Sequence, residues 1–380
     1  MIPALEAQPL RHARANPARG RQFALQALAL ARLAGPACTR RDNRQVLDVL
    51  QVTFPFFALV LCGYLAARTR LLPLEAIGGL NAFVLYFALP CMLFRFGAAT
   101  PVARLFDPAV AAVWLPCGLL MVAGAVRASR AGGLNWNDAA FGALVTAFPN
   151  SGFMGVPLLV ALLGADAAGP VIATMLIDMV IITSICIALS RLDAPDGHSG
   201  GAQGRALAGA WAAARRALRG MALNPMPWSI LLGGAASWLE LVPVRPLAGA
   251  IGLLADAASP VALFTIGAVL ARAVMLGSAQ AQGGDFAPSP WRGVMGLSLA
   301  KLLIHPLLVL AAAECARALG LALSPSALTA VVLAAALPSA SNVSLLAERF
   351  GADTGRVARI ILLTTAAAFL TFSAAVAWRA

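Results

Sequence analysis

Charged residues are scarce in this sequence. Only 12% of its 380 residues are charged, whereas 60% are hydrophobic, and the mean hydropathy is +0.83. A soluble domain cannot bury so much apolar surface, so a membrane must act as solvent. The apolar runs follow one another too closely for separate soluble cores, and we therefore interpret the chain as one membrane domain.

Metal-binding and disulfide patterns are also lacking. The six cysteines contain no Cys-x-x-Cys pair, and five of them lie in or beside apolar runs. A metal site and a disulfide framework are therefore not expected, and no cofactor is predicted. The net charge of +12 comes from arginines in short loops. Because these do not form a basic face with interleaved aromatics, no nucleic-acid partner is predicted.

The first 45 residues differ from the rest. They contain eight arginines, and their one apolar stretch, 23–33, is interrupted by Gln26 and Arg32. This stretch is too short to span a bilayer and does not match a signal peptide. Two interpretations stay open for 1–45: a disordered basic tail, or an upstream extension of a protein whose translation begins near Val46 or Leu47.

Ten apolar segments of about spanning length follow, in two sets of five. The first set is 46–66, 78–96, 108–126, 138–163 and 169–190, and the second is 225–242, 247–271, 292–316, 326–347 and 356–378. The sets define two halves, 46–191 and 225–380, joined by a polar linker at 192–224. Within the linker, Arg205–Arg219 could form a basic amphipathic helix on the membrane surface.

Loop charge predicts the orientation. One side collects 14 arginines and the other five, so the positive-inside rule places the linker in the cytoplasm and both termini outside, in a multi-pass protein of the inner (plasma) membrane. Eight tail arginines outside would violate this rule, which favours the later start. Five spans per half is an odd number, so two similar halves would be inverted repeats, as in many transporters.

The fourth and ninth segments carry matching helix breakers. Phe148–Pro157 contains two prolines, Pro149 and Pro157, and two glycines, and the ninth segment reads Leu-Pro-Ser-Ala-Ser-Asn from Leu337. Proline removes a backbone donor and crowds the preceding turn, so both helices should unwind there. A kink in packed helices would explain one such segment. For a matched pair we favour a binding site near the bilayer midplane.

Such a site suits a carboxylate. Half-helix N-termini attract anions, and side-chain amides and hydroxyls can donate beside them. The candidate substrate-binding residues are Asn150, Ser151, Gly152, Ser341, Asn342 and Lys301.

Ionisable residues inside the segments are few, and three of them are singled out as candidates: Asp178, Lys301 and His305. Charge at membrane depth usually marks a functional or paired position. Lys301 could offset a substrate carboxylate or form a structural ion pair with Asp178, and both readings stay open. Asp178 is the candidate for proton or sodium coupling, and His305 is interpreted as a satisfied packing residue.

Three stretches resemble the auxin efflux carrier family of membrane transporters: Phe148–Gly164, Ala258–Ala271 and Ala336–Asp353. The resemblance covers the chain from residue 46 onward. It implies an all-α integral membrane fold of ten transmembrane helices in two inverted five-helix repeats, similar to sodium/proton antiporters and bile-acid symporters. It also implies that the broken fourth and ninth helices cross at Pro149 and Pro338, flanked by Asn150 and Asn342. Bacterial members with a short central loop are associated with malonate or malate.

The sequence therefore predicts a secondary transporter of a small organic anion that works by alternating access, rather than an enzyme. One alternative is an intramembrane hydrolase using Ser151 and His305, although Pro149 stands where the resembling proteases have glycine. Another is a sensor with a transporter fold, but the linker is too short to hold a signalling domain. The lipid bilayer and the anion are the expected partners, and a homodimer is left open.

Overall fold

The computed structural model describes residues 37–100, 107–192, 225–241, 243–280 and 291–379. Twelve helices lie within these ranges. They are α1 (Ala37–Arg68), α2 (Ala76–Ala99), α3 (Pro108–Ala131), α4 (Trp136–Ala147), α5 (Ser151–Leu163), α6 (Ala165–Leu189), α7 (Pro225–Trp238), α8 (Arg245–Gln280), α9 (Trp291–Ala318), α10 (Pro325–Ala336), α11 (Asn342–Arg349) and α12 (Thr354–Arg379).

The membrane character predicted from composition is confirmed. Seven helices of the described ranges are long and apolar enough to cross a bilayer, namely α2, α3, α6, α8, α9, α12 and the part of α1 from Gln51 to Arg68. Both α5 and α10 are apolar but shorter. No strand occurs in the described residues, where one isolated antiparallel β-bridge joins Pro149 and Ser339. The protein is therefore an all-helical, multi-pass membrane protein.

The first helix begins earlier than the sequence indicated. Helix α1 starts at Ala37, nine residues before the predicted span at 46, so the end of the predicted tail is helical. The remainder of that tail, 1–36, and the predicted surface helix Arg205–Arg219 lie outside the described residues.

Helix starts follow from local side chains. Asp107, Asn135 and Ser324 each accept a hydrogen bond from a backbone N–H in the first turn of α3, α4 and α10. These are the residue types that best satisfy the free donors of a helix N-terminus. Proline follows the cap in α3 and α10, where its missing N–H costs nothing.

The compact unit from Val49 to Ala380 contains two sets of closely packed helices. In the first set, α8 packs on α1 and α2, and α2 also packs on α7. In the second set, α3, α4, α5, α6, α9, α10, α11 and α12 pack among themselves. Glycines permit two close approaches in the first set. A Cβ atom added to Gly267 or Gly63 would overlap backbone atoms across the α1–α8 contact, and one added to Gly233 would overlap the backbone of α2. Small residues allow this backbone approach in membrane helices.

Within the described ranges, four helices contain a π-helical turn. These turns are Val84–Ala88 in α2, Ser151–Gly155 in α5, Asp178–Ile182 in α6 and Ala300–Ile304 in α9. Such turns occur frequently at functional sites. Four residues singled out from the sequence, Ser151, Gly152, Asp178 and Lys301, lie in them.

Candidate functional site

The two predicted helix breaks are present, and proline causes both. Helix α4 ends at Ala147 and α10 ends at Ala336. The next residues, Phe148 and Leu337, are extended, with ψ angles of 105° and 153°. A residue that precedes proline is pushed out of the α region by the proline ring. The chain therefore leaves the helix one residue before Pro149 and one before Pro338.

The two breaks pair with each other. The Asn150 N–H donates to the Pro338 carbonyl at 2.8 Å, and the Ala340 N–H donates to the Phe148 carbonyl at 3.0 Å. Lipid offers no partner for backbone that leaves a helix. Here each break supplies a donor and an acceptor to the other, so the crossing is held by backbone hydrogen bonds.

A threonine from a third helix completes the backbone pairing. The Ser339 N–H donates to Thr364 Oγ1 of α12 at 3.2 Å, while the Thr364 hydroxyl donates to the Ile360 carbonyl at 2.8 Å. Sequence reasoning missed Thr364. A threonine inside an apolar helix usually bonds its own helix, and nothing in its spacing indicates a distant partner.

Side chains at the crossing leave polar atoms unpaired. Asn150 Oδ1, Ser151 Oγ, Ser339 Oγ and Asn342 Oδ1 are buried and have no hydrogen-bond partner among the described residues. Buried polar atoms are nearly always hydrogen-bonded. Four unpaired polar atoms at one crossing therefore indicate that a ligand or water binds there. Ser339 was not selected from the sequence, although it directly follows Pro338.

A small cavity adjoins one of these side chains, that of Asn342. Its volume is about 10 Å³, enough for about one water molecule. The lining comes from α2, α5, α8 and α11 and from the residue before α11: Asn81, Phe153, Ala262, Thr265, Ile266, Val269, Ser341, Asn342 and Leu345. The cavity therefore lies where helices of the two packed sets meet.

Two glycines allow close packing at the breaks. A Cβ atom at Gly155 would come within 2.6 Å of Leu337 Cδ1, and one at Gly152 within 3.2 Å of Met175 Sδ. Both glycines therefore leave room for the neighbouring side chains.

Pro157 lies in the first regular turn of α5 after the π turn, outside the paired backbone.

A second polar group is buried between α3, α6 and α9. Trp114 Nε1–H donates to Asp178 Oδ1 at 2.8 Å. Lys301 Nζ lies 2.9 Å from His305 Nδ1 and donates to the Ala335 carbonyl at 3.0 Å. Trp114 and His305 pack with ring centroids 5.3 Å apart. All four side chains are fully buried.

Lys301 is the single lysine of the chain, and it binds a helix end. Ala335 is next to the last residue of α10, where carbonyls lack helical partners and a cation is favourable. The described residues show no direct ion pair between Lys301 and Asp178. Lys301 is also not among the described residues that line the small cavity.

The buried polar group contains two unpaired atoms. Asp178 Oδ2 and His305 Nε2 are buried without a partner in the described part of the chain. His305 is thus satisfied at Nδ1 only, which differs in part from the expectation of a fully satisfied packing residue. Ser151 Oγ is also unpaired, so the serine–histidine hydrogen bond that a hydrolase needs is not formed.

Comparison with known proteins gives the family. The model of the membrane transport protein family matches residues 48–376. A protein of Rhizobium meliloti (strain 1021) that carries the provisional name of a malonate transporter is 31% identical over 324 residues, covering 84% of this chain and 92% of that protein. The chain therefore belongs to the membrane transport protein family, which is the auxin efflux carrier family that its motifs resemble.

Proposed function

We propose that the protein is a secondary transporter of a small mono- or dicarboxylate such as malonate or malate. The observation that carries the proposal is the crossing of two broken helices with four buried, unpaired polar atoms. The provisional name of the Rhizobium relative supports malonate. Family membership favours transport over hydrolysis.

Carboxylate recognition follows from the donors at the crossing. The hydroxyls of Ser151 and Ser339 can donate to a carboxylate oxygen, and an amide side chain can turn its NH₂ toward the same point. The N-terminus of α11 begins at Asn342 without a side-chain cap and adds a favourable partial charge. Gly152 belongs to the site by leaving room beside these donors.

The transport mechanism in this proposal is alternating access. A cavity of about 10 Å³ is far below the roughly 300–1,000 Å³ of ordinary ligand pockets. Substrate entry therefore requires the set containing α2 and α8 to move against the set containing α5 and α11. Two inverted five-span halves, 46–191 and 225–380, with the crossing near the midplane, would allow such rocking.

Lys301 has a supporting role in this mechanism. Its ammonium group holds the end of α10 directly before the Pro338 break, so it stabilises the crossing and adds positive potential near a bound anion. Coupling to a proton or sodium ion is assigned to Asp178, whose Oδ2 atom has no partner.

The test is uptake into liposomes that contain the purified protein. Radiolabelled malonate and malate are compared for the unmodified chain, Asn150→Ala and Asn342→Ala. Each loss of a hydrogen bond to a charged ligand should cost about 1.5–3 kcal/mol, which raises the half-saturating concentration about 10- to 150-fold.

Asn137→Ala is the matched control. Its amide donates to the Phe350 and Gly351 carbonyls, away from the crossing, so this variant loses an amide and some stability but should keep the half-saturating concentration. Equal saturation in all four proteins would remove the crossing from the binding site. Absence of uptake for both acids by the unmodified chain would reject the proposed substrate class.

A further inference from the structure

A second and much larger space lies between α3 and α9. Its volume is about 570 Å³, and it opens along the surface of the helices. The lining is mostly apolar and small, and it contains four glycines: Gly124 of α3, Gly132 directly after α3, and Gly293 and Gly296 of α9. A Cβ atom added at Gly124 or Gly296 would meet nothing within 4 Å. We call this space the α3–α9 groove.

The groove has a closed end and an open end. The two helices touch where Cys117 Sγ lies 3.8 Å from the Leu308 carbonyl. From there the lining extends along α3 from Leu120 to Gly132, a length of about 18 Å at the helical rise. One leaflet of a bilayer, with its headgroups, is about 20 Å thick. The groove therefore has the depth of a single leaflet.

Arginines surround the open end. Arg292 and Arg356 line it, and Arg130 and Arg359 lie nearby, each over a tryptophan ring at 5.0 and 5.8 Å. Trp136 and Trp291, the partners of these two arginines, are the residue type that marks the membrane interface. The positive-inside rule puts this end at the cytoplasmic surface.

Acidic groups compensate only part of this charge. Asp138 and Asp353 attract the Arg356 guanidinium, which donates to the Asp138 carbonyl at 3.2 Å and to Ser129 Oγ at 3.0 Å. The Arg292 side chain is exposed, and no described residue pairs with it. With four arginines and two carboxylates, the open end of the groove keeps a net positive charge.

We propose that the α3–α9 groove binds one anionic phospholipid of the cytoplasmic leaflet. An acyl chain would lie over Gly124 and Gly296, and the phosphate would sit at Arg292. Basic pockets between membrane helices on the cytoplasmic side have the chemistry that anionic headgroups need. The groove is long and narrow, with a volume of about 570 Å³ extending over about 18 Å at the helical rise, which suits one extended acyl chain.

The experiment is native mass spectrometry of the full-length, delipidated protein with added phosphatidylglycerol or phosphatidylcholine of identical acyl chains. The unmodified chain should bind one phosphatidylglycerol at least about tenfold more tightly than phosphatidylcholine, a difference of ~1.4 kcal/mol. Gly296→Leu fills the groove and should weaken both lipids about tenfold. Arg292→Gln should remove the preference for the anionic lipid and leave phosphatidylcholine binding unchanged.

Two matched controls come from α8. Gly249→Leu places the same side chain at another exposed glycine with nothing within 4 Å, and Arg245→Gln removes an arginine at the other predicted membrane face. Both should bind lipid as the unmodified chain does. Equal affinity for the two lipids in the unmodified chain would overturn the proposal, and so would identical binding by Arg292→Gln or Gly296→Leu. Detection of a dimer without bound lipid in the same mass spectra would also overturn the proposal. The unmodified chain and Arg292→Gln decide the outcome even if Gly296→Leu does not fold.

Discussion

At the scale of single residues, the buried charges are held by neutral partners. Asp178 accepts one hydrogen bond, from Trp114, and Lys301 contacts a histidine nitrogen and a backbone carbonyl. Each side chain has a fixed direction, and no direct ion pair joins the two in the described part of the chain. The Oδ2 atom of Asp178 has no partner there, and the proposed coupling ion would bind at this oxygen.

Asp178→Asn tests this availability. The asparagine carbonyl can still accept from Trp114, so folding should survive, but the side chain no longer carries a negative charge. We expect stimulation of malonate uptake by an imposed proton or sodium gradient to fall by about tenfold or more, equivalent to ~1.4 kcal/mol, while uptake without a gradient persists. The measurement is liposome uptake with each gradient imposed separately.

Thr174→Val serves as the comparison variant. Thr174 is a buried polar residue on the same helix whose hydroxyl bonds only the Val171 carbonyl in the described structure. It should keep the gradient response of the unmodified chain. A full gradient response in Asp178→Asn would exclude Asp178 as the coupling group.

At the scale of helices, close contacts depend on the absence of a side chain. Gly63 and Gly267 face each other's helix across the α1–α8 contact, and any Cβ atom there meets backbone rather than a movable side-chain end. Backbone cannot move aside without shifting the whole helix. Overpacking of this kind typically costs about 1–3 kcal/mol.

Gly267→Ala should therefore lower the unfolding free energy by at least about 1–3 kcal/mol, seen as a lower Tm of the detergent-purified protein. Gly252→Ala is the control on the same helix, because a Cβ atom there meets nothing within 4 Å. Replacing glycine by alanine at an unstrained helical position usually stabilises by about 0.4–1 kcal/mol, so its Tm should stay equal or rise. Similar Tm values for both variants would contradict the close α1–α8 contact.

At the scale of the whole molecule, we predict that two short helices together act as one span. Helix α10 has 12 residues and α11 has eight, and each alone is shorter than the roughly 20 residues that cross a bilayer. Joined through the Pro338 break they would cross it once. The positive-inside rule then places Leu319, before α10, outside and Arg349, after α11, in the cytoplasm.

Single cysteines in a cysteine-free background test this topology. Leu319→Cys should react with a membrane-impermeant maleimide in intact cells, whereas Arg349→Cys should react only after the membrane is permeabilised. Both positions are exposed, so reactivity reports the side of the membrane. Labelling of both cysteines in intact cells, or of neither, would mean that α10 and α11 do not form one span.

The sequence by itself determined the membrane fold class and the positions of the two breaks. Apolar length and proline chemistry are local properties, and the extended residues before Pro149 and Pro338 follow from the adjacent ring alone. Asn150, Ser151 and Asn342 were selected as candidates because they follow those prolines within four residues, and their role in binding stays a prediction. The early start of α1 at Ala37 was missed because its first turns are polar.

Only the tertiary structure decided which groups meet. The pairing of Asn150 with Pro338, the contact of Ser339 with Thr364, and the binding of Lys301 to Ala335 instead of Asp178 join residues 25 to 188 positions apart. The α3–α9 groove likewise exists because two helices touch at one end and separate at the other. Such distances and angles depend on how whole helices pack, and no local pattern in the chain encodes them.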